Sequence, residues 1–405
     1  MFDTGTTTFM ILSTSLVMLM TPGLAFFYGG LAGKRNILGI MMQTFVSLGI
    51  TTILWIAFGY SLCFSGGEGG IIGNFDWAFL KGIPFNQAYS GANGEYPEYI
   101  FIAYQMMFAI ITPALITGAF VNRVTFKAYL IFLVAWQLFV YYPFVHMVWG
   151  GGLLAQWGVL DFAGGIVVHA TAGFAALASV FYVGKRRGKP SPPNSIPLVA
   201  IGTGLLWFGW YGFNAGSELK VDAVTTTAFL NTDIAASFAA ITWLIIEWIK
   251  EGKPKFVGLL TGAVAGLATI TPAAGFVPVW AAMLIGIASG VICFIAVQFK
   301  NKWGWDDALD VWGVHGIGGF TGTILLGVFA SSAINGQSGL IEGNTSFFFK
   351  EATAVIAASA YAFVFTYVML IIINLITRVK VTETEELEGL DNSLHGEKAY
   401  DEGAL

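Results

Sequence analysis

The chain has 405 residues, of which 56% are hydrophobic and only 11% are charged, and its mean hydropathy is +0.73. This balance excludes a water-soluble globular protein and indicates an integral membrane protein. The net charge of −5 is spread without a basic patch, which argues against nucleic acid as a partner. The 51 glycines predict helices that pack closely, because small residues let two backbones approach each other.

The first apolar segment begins near residue 7 and has no Lys or Arg before it. A cleaved signal peptide starts with positive charge, so we expect this segment to remain as the first transmembrane helix. Ten more segments of spanning length follow along the chain. The predicted helices lie near residues 7–30, 37–62, 99–120, 128–149, 164–184, 196–216, 226–249, 256–274, 276–299, 311–333 and 349–377.

The positive charges divide unequally between the two sides of this predicted bundle. Of the 19 Lys and Arg residues, only Lys81, Lys220 and Lys350 fall on the side that holds the N-terminus. The positive-inside rule makes the other side cytoplasmic, with the N-terminus outside and the C-terminus inside a cell (inner) membrane. The basic cluster at residues 185–189 is explained as a topology signal of this kind.

An internal repeat relates the two halves of the chain. VHATAGF at 168–174 returns in outline as VHGIGGF at 314–320, an offset of 146 residues, and ITPA at 111–114 returns at 270–273. The repeating unit contains about five helices, and an odd number inverts the second copy in the membrane. The sequence therefore predicts an all-α membrane protein with an inverted five-plus-five helix repeat and one additional C-terminal helix.

The domain organisation follows from this repeat. We predict a transmembrane transport domain over residues 1–382, with pseudo-repeats of about 1–190 and 191–335. Helix 11, at about 349–377, lies outside the symmetry. Residues 383–405 form an acidic tail on the cytoplasmic side.

Two histidines occupy matched positions in the repeat, His169 in helix 5 and His315 in helix 10. Ionisable groups inside a membrane are costly and are usually kept for a site, and inverted repeats place that site between their halves. Counting residues from the segment ends leaves ~10–15 Å between the two rings along a ~30 Å core, so the spacing does not predict contact. Cys63 and Cys293 are read as packing residues, and no metal, cofactor or enzymatic activity is predicted.

Several longer stretches resemble the ammonium transporter family (Amt/MEP/Rh) over nearly the whole chain. They are FYGGL (27–31), QMMFAIITPALITGAF (105–120), HMVWGGGLL (146–154), DFAGGIVVH (161–169), GWYGFNAGS (209–217), EGKPKFVGLLTGAVAGLATITPAAG (251–275), DVWGVHG (310–316) and EELEGLDNSLHGEKAY (385–400). This resemblance implies an ammonium transporter or channel, normally a homotrimer with one conduction path in each subunit.

The resemblance also assigns roles to individual residues. It implies an outer recruitment site and gate for ammonium, or its analogue methylammonium, at Phe108, Trp149, Phe213 and Ser217. It implies that the pore is lined by His169, His315, Thr271 and Trp210 and conducts ammonia with or without the proton. Asp161 is expected to support the outer site, as a carboxylate that caps the start of helix 5.

Three residues depart from the family pattern: Tyr104 and Trp312 stand where Phe is common, and Asp233 stands where an apolar residue is usual. We expect Asp233 to make a polar contact at a helix or subunit interface, and Asp310 to anchor the cytoplasmic end of helix 10.

Two further points concern regulation and an alternative function. The acidic tail matches the family's tail, which suggests docking on the cytoplasmic face and regulation by a PII-type signal protein.

The alternative function is an ammonium sensor or transceptor with little or no transport. Only 27 residues follow Arg378, too few for a fused signalling domain, which favours transport.

Overall fold

The structure is a computed structural model that describes residues 2–92, 94–188 and 191–400. Lys189 of the predicted topology cluster, the predicted repeat boundary at Pro190 and the last five residues of the predicted tail lie outside this range.

Helices account for nearly all the regular structure, and the described residues contain no β-strand beyond two isolated bridges. Ten helices are long and apolar enough to cross a membrane, and a shorter apolar helix lies between the seventh and the eighth of them. The predicted all-α fold with eleven helices is therefore confirmed. The helices are α1 (Thr4–Leu31), α2 (Ile37–Phe64), α3 (Glu98–Ala119), α4 (Phe126–Trp157), α5 (Gly165–Val183), α6 (Ile196–Glu218), α7 (Ala223–Glu251), α8 (Phe256–Ile270), α9 (Val279–Trp303), α10 (Trp312–Phe329) and α11 (Thr345–Ile376).

Two helix pairs cross at glycines. In the α1–α6 pair, a Cβ placed on Gly202 would lie 2.3 Å from the backbone nitrogen of Phe27. In the α5–α10 pair, a Cβ on Gly173 would lie 2.1 Å from the backbone of Gly316. Only glycine permits such approaches, which bring helices from the two halves of the chain into backbone contact.

The remaining helices surround these crossings. Helix α7 packs on α8 and α9, while α11 packs along both α5 and α10. The additional helix α11 therefore spans the boundary between the two halves, although the repeat itself does not include it.

The tail forms two short helices, α12 (Glu383–Glu388) and α13 (Leu390–His395). The Asp391 carboxylate accepts hydrogen bonds from the backbone N–H groups of Ile37 at 3.0 Å and Gly39 at 2.8 Å, at the start of α2. Glu383 pairs with Arg187, in the loop between α5 and α6. The tail therefore lies against the protein face formed by the loops at residues 32–36, 120–125 and 304–311, which we call the basic face.

Candidate functional site

Three aromatic side chains form a layer near the protein face opposite the basic face. The rings of Phe108 in α3 and Phe213 in α6 stack with their centroids 4.2 Å apart, and both residues are only 1% exposed. Trp149 in α4 meets Phe108 edge-on at 5.9 Å and is partly exposed. The structure thus brings together the three aromatic residues that the family resemblance assigns to an outer site, and the two phenylalanines are stacked against each other.

Ser217 lies one helical turn beyond Phe213, and its hydroxyl donates to the Phe213 carbonyl at 2.8 Å. That bond commits the hydroxyl proton, so the oxygen keeps a lone pair free to accept from a donor outside the layer.

Tyr104 is a residue whose place in this site the sequence did not predict. Its hydroxyl lies 2.8 Å and 2.9 Å from the carbonyl oxygens of Gly212 and Phe213, and 3.2 Å from the Ser217 hydroxyl. Its ring contacts Phe108 at 5.1 Å. The Tyr104 hydroxyl has one proton to donate, so it ties α3 to the end of α6 through one of these acceptors, which a phenylalanine could not do. The presence of Tyr where Phe is common in the family was the signal that could have identified Tyr104 as part of this site.

The two histidines lie directly below the aromatic layer and touch each other. Their Nδ1 atoms are 3.3 Å apart, and the rings are stacked with a centroid distance of 5.3 Å. The separation of ~10–15 Å expected from residue counting is wrong. That count placed the starts of α5 and α10 at the membrane surfaces. Most of the segment before α5, residues 159–164, is buried, and Asp307 and Val311 before α10 are buried as well, so both helices start below the protein surface.

Each histidine lies in a short π-helical turn, Gly165–Ala170 in α5 and Trp312–Gly316 in α10. Such wide turns often occur at functional sites. The two π-helical turns occupy matched positions in the repeat, so the internal repeat of the sequence is also present in the local backbone structure.

Asp161 caps the start of α5 and does not reach the aromatic layer with its carboxylate. Its two side-chain oxygens accept four backbone N–H groups, from residues 164 to 167, at distances of 2.7 to 3.1 Å. Burial raises the pKa of this carboxyl, and the four N–H groups oppose the shift. The Asp161 carbonyl accepts the Trp149 indole N–H at 2.8 Å, so this residue positions both the helix of His169 and the aromatic layer.

The matching cap of α10 is Asp307, whereas Asp310, which was expected to anchor this end of α10, does so through an ion pair to α9. Asp307 accepts from the backbone N–H groups of Val311 at 3.1 Å and Trp312 at 2.8 Å, and burial raises its pKa to about 6. Asp310 instead pairs with Lys300 at 2.6 Å. Asp307 lies 146 residues after Asp161, the offset that relates the histidines, so applying the repeat to Asp161 would have found it.

Trp210 and Thr271 stand beside His169. The Trp210 indole stacks on the His169 ring at a centroid distance of 5.5 Å, and its N–H donates to the Thr271 hydroxyl at 2.9 Å. Thr271 therefore holds Trp210, and Trp210 restricts the orientation of the imidazole.

The histidines lie between two cavities. A cavity of about 10 Å³ is lined by both histidines, Phe213, Trp210 and aliphatic side chains, and this volume admits the centre of a single water-sized molecule. A second cavity of about 220 Å³ is also lined by His315 and extends to Ser191 and Leu309 at the basic face. His169 lines the narrow cavity, and its Nε2 is buried with no hydrogen-bond partner among the described residues.

Asp233 and Trp312, the other two residues that depart from the family pattern, lie away from these cavities. Asp233 in α7 accepts from the Trp207 indole at 3.1 Å and the Tyr211 hydroxyl at 2.8 Å, both in α6. The Trp312 indole packs on Trp305 near the basic face. The polar helix contact expected for Asp233 is therefore present.

Residues 8–400 match the model of the Ammonium Transporter Family. The chain belongs to this family. An ammonium transporter of Bacillus subtilis is 46% identical over 404 residues, which cover 98% of each chain. Among solved structures, Candida albicans Mep2 matches with a TM-score of 0.88 and 35% identity, covering 95% of this chain and 88% of Mep2.

Family membership establishes a multi-pass membrane protein of a transporter class, not an enzyme. A solved Sensor Amt Protein also matches, with a TM-score of 0.87 and 28% identity over 95% of this chain and 96% of that one. The family fold therefore also occurs in a protein named a sensor.

Proposed function

We propose that this family member transports ammonium by capturing it at the aromatic layer, removing its proton and passing ammonia along the histidine pair. The observation that carries the proposal is the direct contact of two buried imidazoles between a one-molecule cavity and a wider cavity that leads to the basic face. Every polar group along the narrow section belongs to a histidine or to the Trp210–Thr271 pair.

Capture uses the outer side of the aromatic layer. A cation over an aromatic face gains ~0.5–2 kcal/mol, and Trp149 with Phe108 and Phe213 supplies such faces. The Ser217 oxygen accepts an N–H bond, which ammonium can donate and potassium cannot. Selectivity over potassium therefore begins with a directional acceptor, since the two cations differ little in size.

The closed phenylalanine pair and the narrow cavity complete the selection. A permanent cation in an apolar passage costs at least ~2.5–3.5 kcal/mol on insertion scales. Ammonium escapes this cost by losing its proton, whereas potassium has no neutral form. Ammonia then enters a space that holds a single small molecule.

The histidines provide the polar contacts for ammonia. With one proton shared between the two Nδ1 atoms, one ring carries a proton on Nε2 and the other has a free Nε2 lone pair. The pair thus offers ammonia one donor and one acceptor, and the free lone pair can accept a proton released from ammonium.

The test is uptake of radiolabelled methylammonium, with current recording, in proteoliposomes. We expect saturable uptake by the wild type that potassium does not inhibit, and a loss of at least ~10-fold for His169→Leu, because the apolar side chain removes one of the two polar contacts in the cavity and the hydrogen-bond partner of His315. Phe108→Ala should raise the KM for methylammonium, because one wall of the capture site is lost. Phe101→Ala, another buried phenylalanine in α3, is the matched control and should leave the KM unchanged.

Two results would contradict this mechanism. Equal potassium and ammonium currents in the wild type would rule out obligatory deprotonation. Binding of methylammonium without uptake would favour the alternative function, an ammonium sensor. The match to a Sensor Amt Protein is the observation that supports this alternative.

The proposal includes assembly and orientation. We place the protein as a homotrimer in the inner membrane, with the basic face cytoplasmic, the N-terminus outside, a transport domain over residues 1–382 and a cytoplasmic tail at 383–405. The excess of Lys and Arg at the basic face and the contacts of α12 and α13 with it support the orientation, whereas the homotrimer is carried over from the family resemblance.

The docked tail is the proposed regulatory element and a site for a PII-type partner. Deleting residues 383–405 exposes the Ile37 and Gly39 N–H groups that Asp391 binds, so we expect uptake in cells to change by at least ~2-fold through the start of α2. Lys302→Ala, which removes a charge from the end of α9 outside the tail contacts, is the control. Unchanged uptake after the deletion would remove the tail from the regulatory proposal.

A further inference from the structure

The first turns of α11 reach the segment between α4 and α5, residues 158–164, which we call the outer loop. Glu351 in α11 is completely buried, and its Oε1 accepts the backbone N–H of Leu160 at 2.7 Å. Its neighbour Lys350 also lies at the loop, since a Cβ on Gly158 would be 3.2 Å from the Lys350 Nζ. The helix outside the repeat therefore contacts the outer loop at two points.

The other carboxyl oxygen of Glu351 is buried and has no hydrogen-bond partner within the described part of the chain. Burying a carboxyl group with only one bonded oxygen is unfavourable, and an apolar side chain would serve packing better. Compared with an apolar side chain, Glu351 adds one feature, which is an oxygen that accepts the backbone N–H of Leu160.

The position of Leu160 makes this one hydrogen bond consequential. The next residue is Asp161, whose carbonyl accepts the Trp149 indole N–H and whose carboxylate holds the first turn of α5. An anchor at Leu160 therefore limits movement of the group that sets the orientation of Trp149 against Phe108.

We propose that Glu351 is a positioning residue for cation capture, which acts by fixing the outer loop through Leu160 and thereby holding Trp149 in the aromatic layer. This inference depends on the proposed function of that layer. Glu351 lines neither cavity beside the histidines, so we expect its loss to change capture more than the passage of ammonia.

The experiment compares methylammonium uptake kinetics of two variants in proteoliposomes. Glu351→Gln keeps an oxygen acceptor, and we expect a KM within about twofold of the wild type. Glu351→Met has similar length without that acceptor, and we expect a KM about threefold to tenfold higher with Vmax within about twofold. Ser359→Ala is the matched control, because it removes another unpartnered buried polar group from α11 and should leave the KM unchanged.

A loss limited to Vmax or to the amount of folded protein would indicate a purely structural role and would overturn the inference. A wild-type KM in Glu351→Met would overturn it as well. If Glu351→Met does not fold, Glu351→Asp tests the same contact, because the shorter side chain withdraws the acceptor while keeping the carboxyl group, and it should raise the KM. Absence of uptake by the wild type would instead reject the proposed function, and this inference with it.

Discussion

Replacing Gly173 by alanine is expected to abolish transport and to destabilise the fold. The new methyl carbon would lie 2.1 Å from both the Cα and the nitrogen of Gly316, so the backbones of α5 and α10 must move apart. Overpacking at such a contact costs about 1–3 kcal/mol, or more where backbone must move. Gly316 follows His315 directly, so the same movement separates the two imidazoles, and we expect methylammonium uptake to fall at least ~10-fold.

The measurements are uptake in proteoliposomes and thermal unfolding in detergent. Gly204→Ala provides the control, because it also adds a methyl group to a glycine in a transmembrane helix, but no atom lies within 4 Å of the new carbon. Gly204→Ala should behave as the wild type. If Gly173→Ala retains wild-type uptake and melting temperature, the close crossing of α5 and α10 is incorrect.

Replacing Asp161 by alanine is expected to have the second largest effect. Four buried N–H groups at the start of α5 lose their acceptor, and each unsatisfied buried group costs about 1–3 kcal/mol before relaxation. We expect a lower melting temperature together with a loss of transport, because the π-helical turn that holds His169 begins at these residues.

The comparison is with Asp222→Ala, which removes the cap of α7 at the membrane surface. Asp222 accepts only two backbone N–H groups, pairs with Lys220 and is partly exposed, so its loss should cost about 0.5–2 kcal/mol and leave transport intact. Asp161→Asn should not restore function, because its amide would turn a donor toward N–H groups that need an acceptor. Equal effects of Asp161→Ala and Asp222→Ala would show that Asp161 is an ordinary cap.

The sequence predicted the helices well because a bilayer imposes a simple condition. A spanning helix needs about 20 apolar residues, and the eleven apolar segments satisfy or approach that length. The deviations lie at helix ends: α4 continues to Trp157, where residue 149 was expected, and α8 stops at Ile270, where residue 274 was expected. Such ends depend on caps and loop contacts, which hydropathy does not report.

The caps of the two histidine helices illustrate the limit at the site. Asp307 and Asp310 are both carboxylates shortly before His315, so proximity along the chain does not decide which of them caps α10. The loop conformation decides, since Asp310 adopts a φ of +60° and turns to Lys300, while Asp307 reaches the helix N–H groups. The 146-residue offset of the repeat relates Asp307 to Asp161, so it identifies Asp307 as the cap only after Asp161 is known to cap α5.

Composition, periodicity and the repeat in the sequence determined the membrane class, the eleven helices and the matched positions of His169 and His315, because these depend on transfer free energies and on order along the chain. Tertiary structure decided that the rings touch, that Phe108 and Phe213 close over them, and that Glu351 reaches the outer loop from a helix outside the repeat. Those contacts depend on how deep each helix starts and where its glycines permit approach, and residue spacing does not encode such distances.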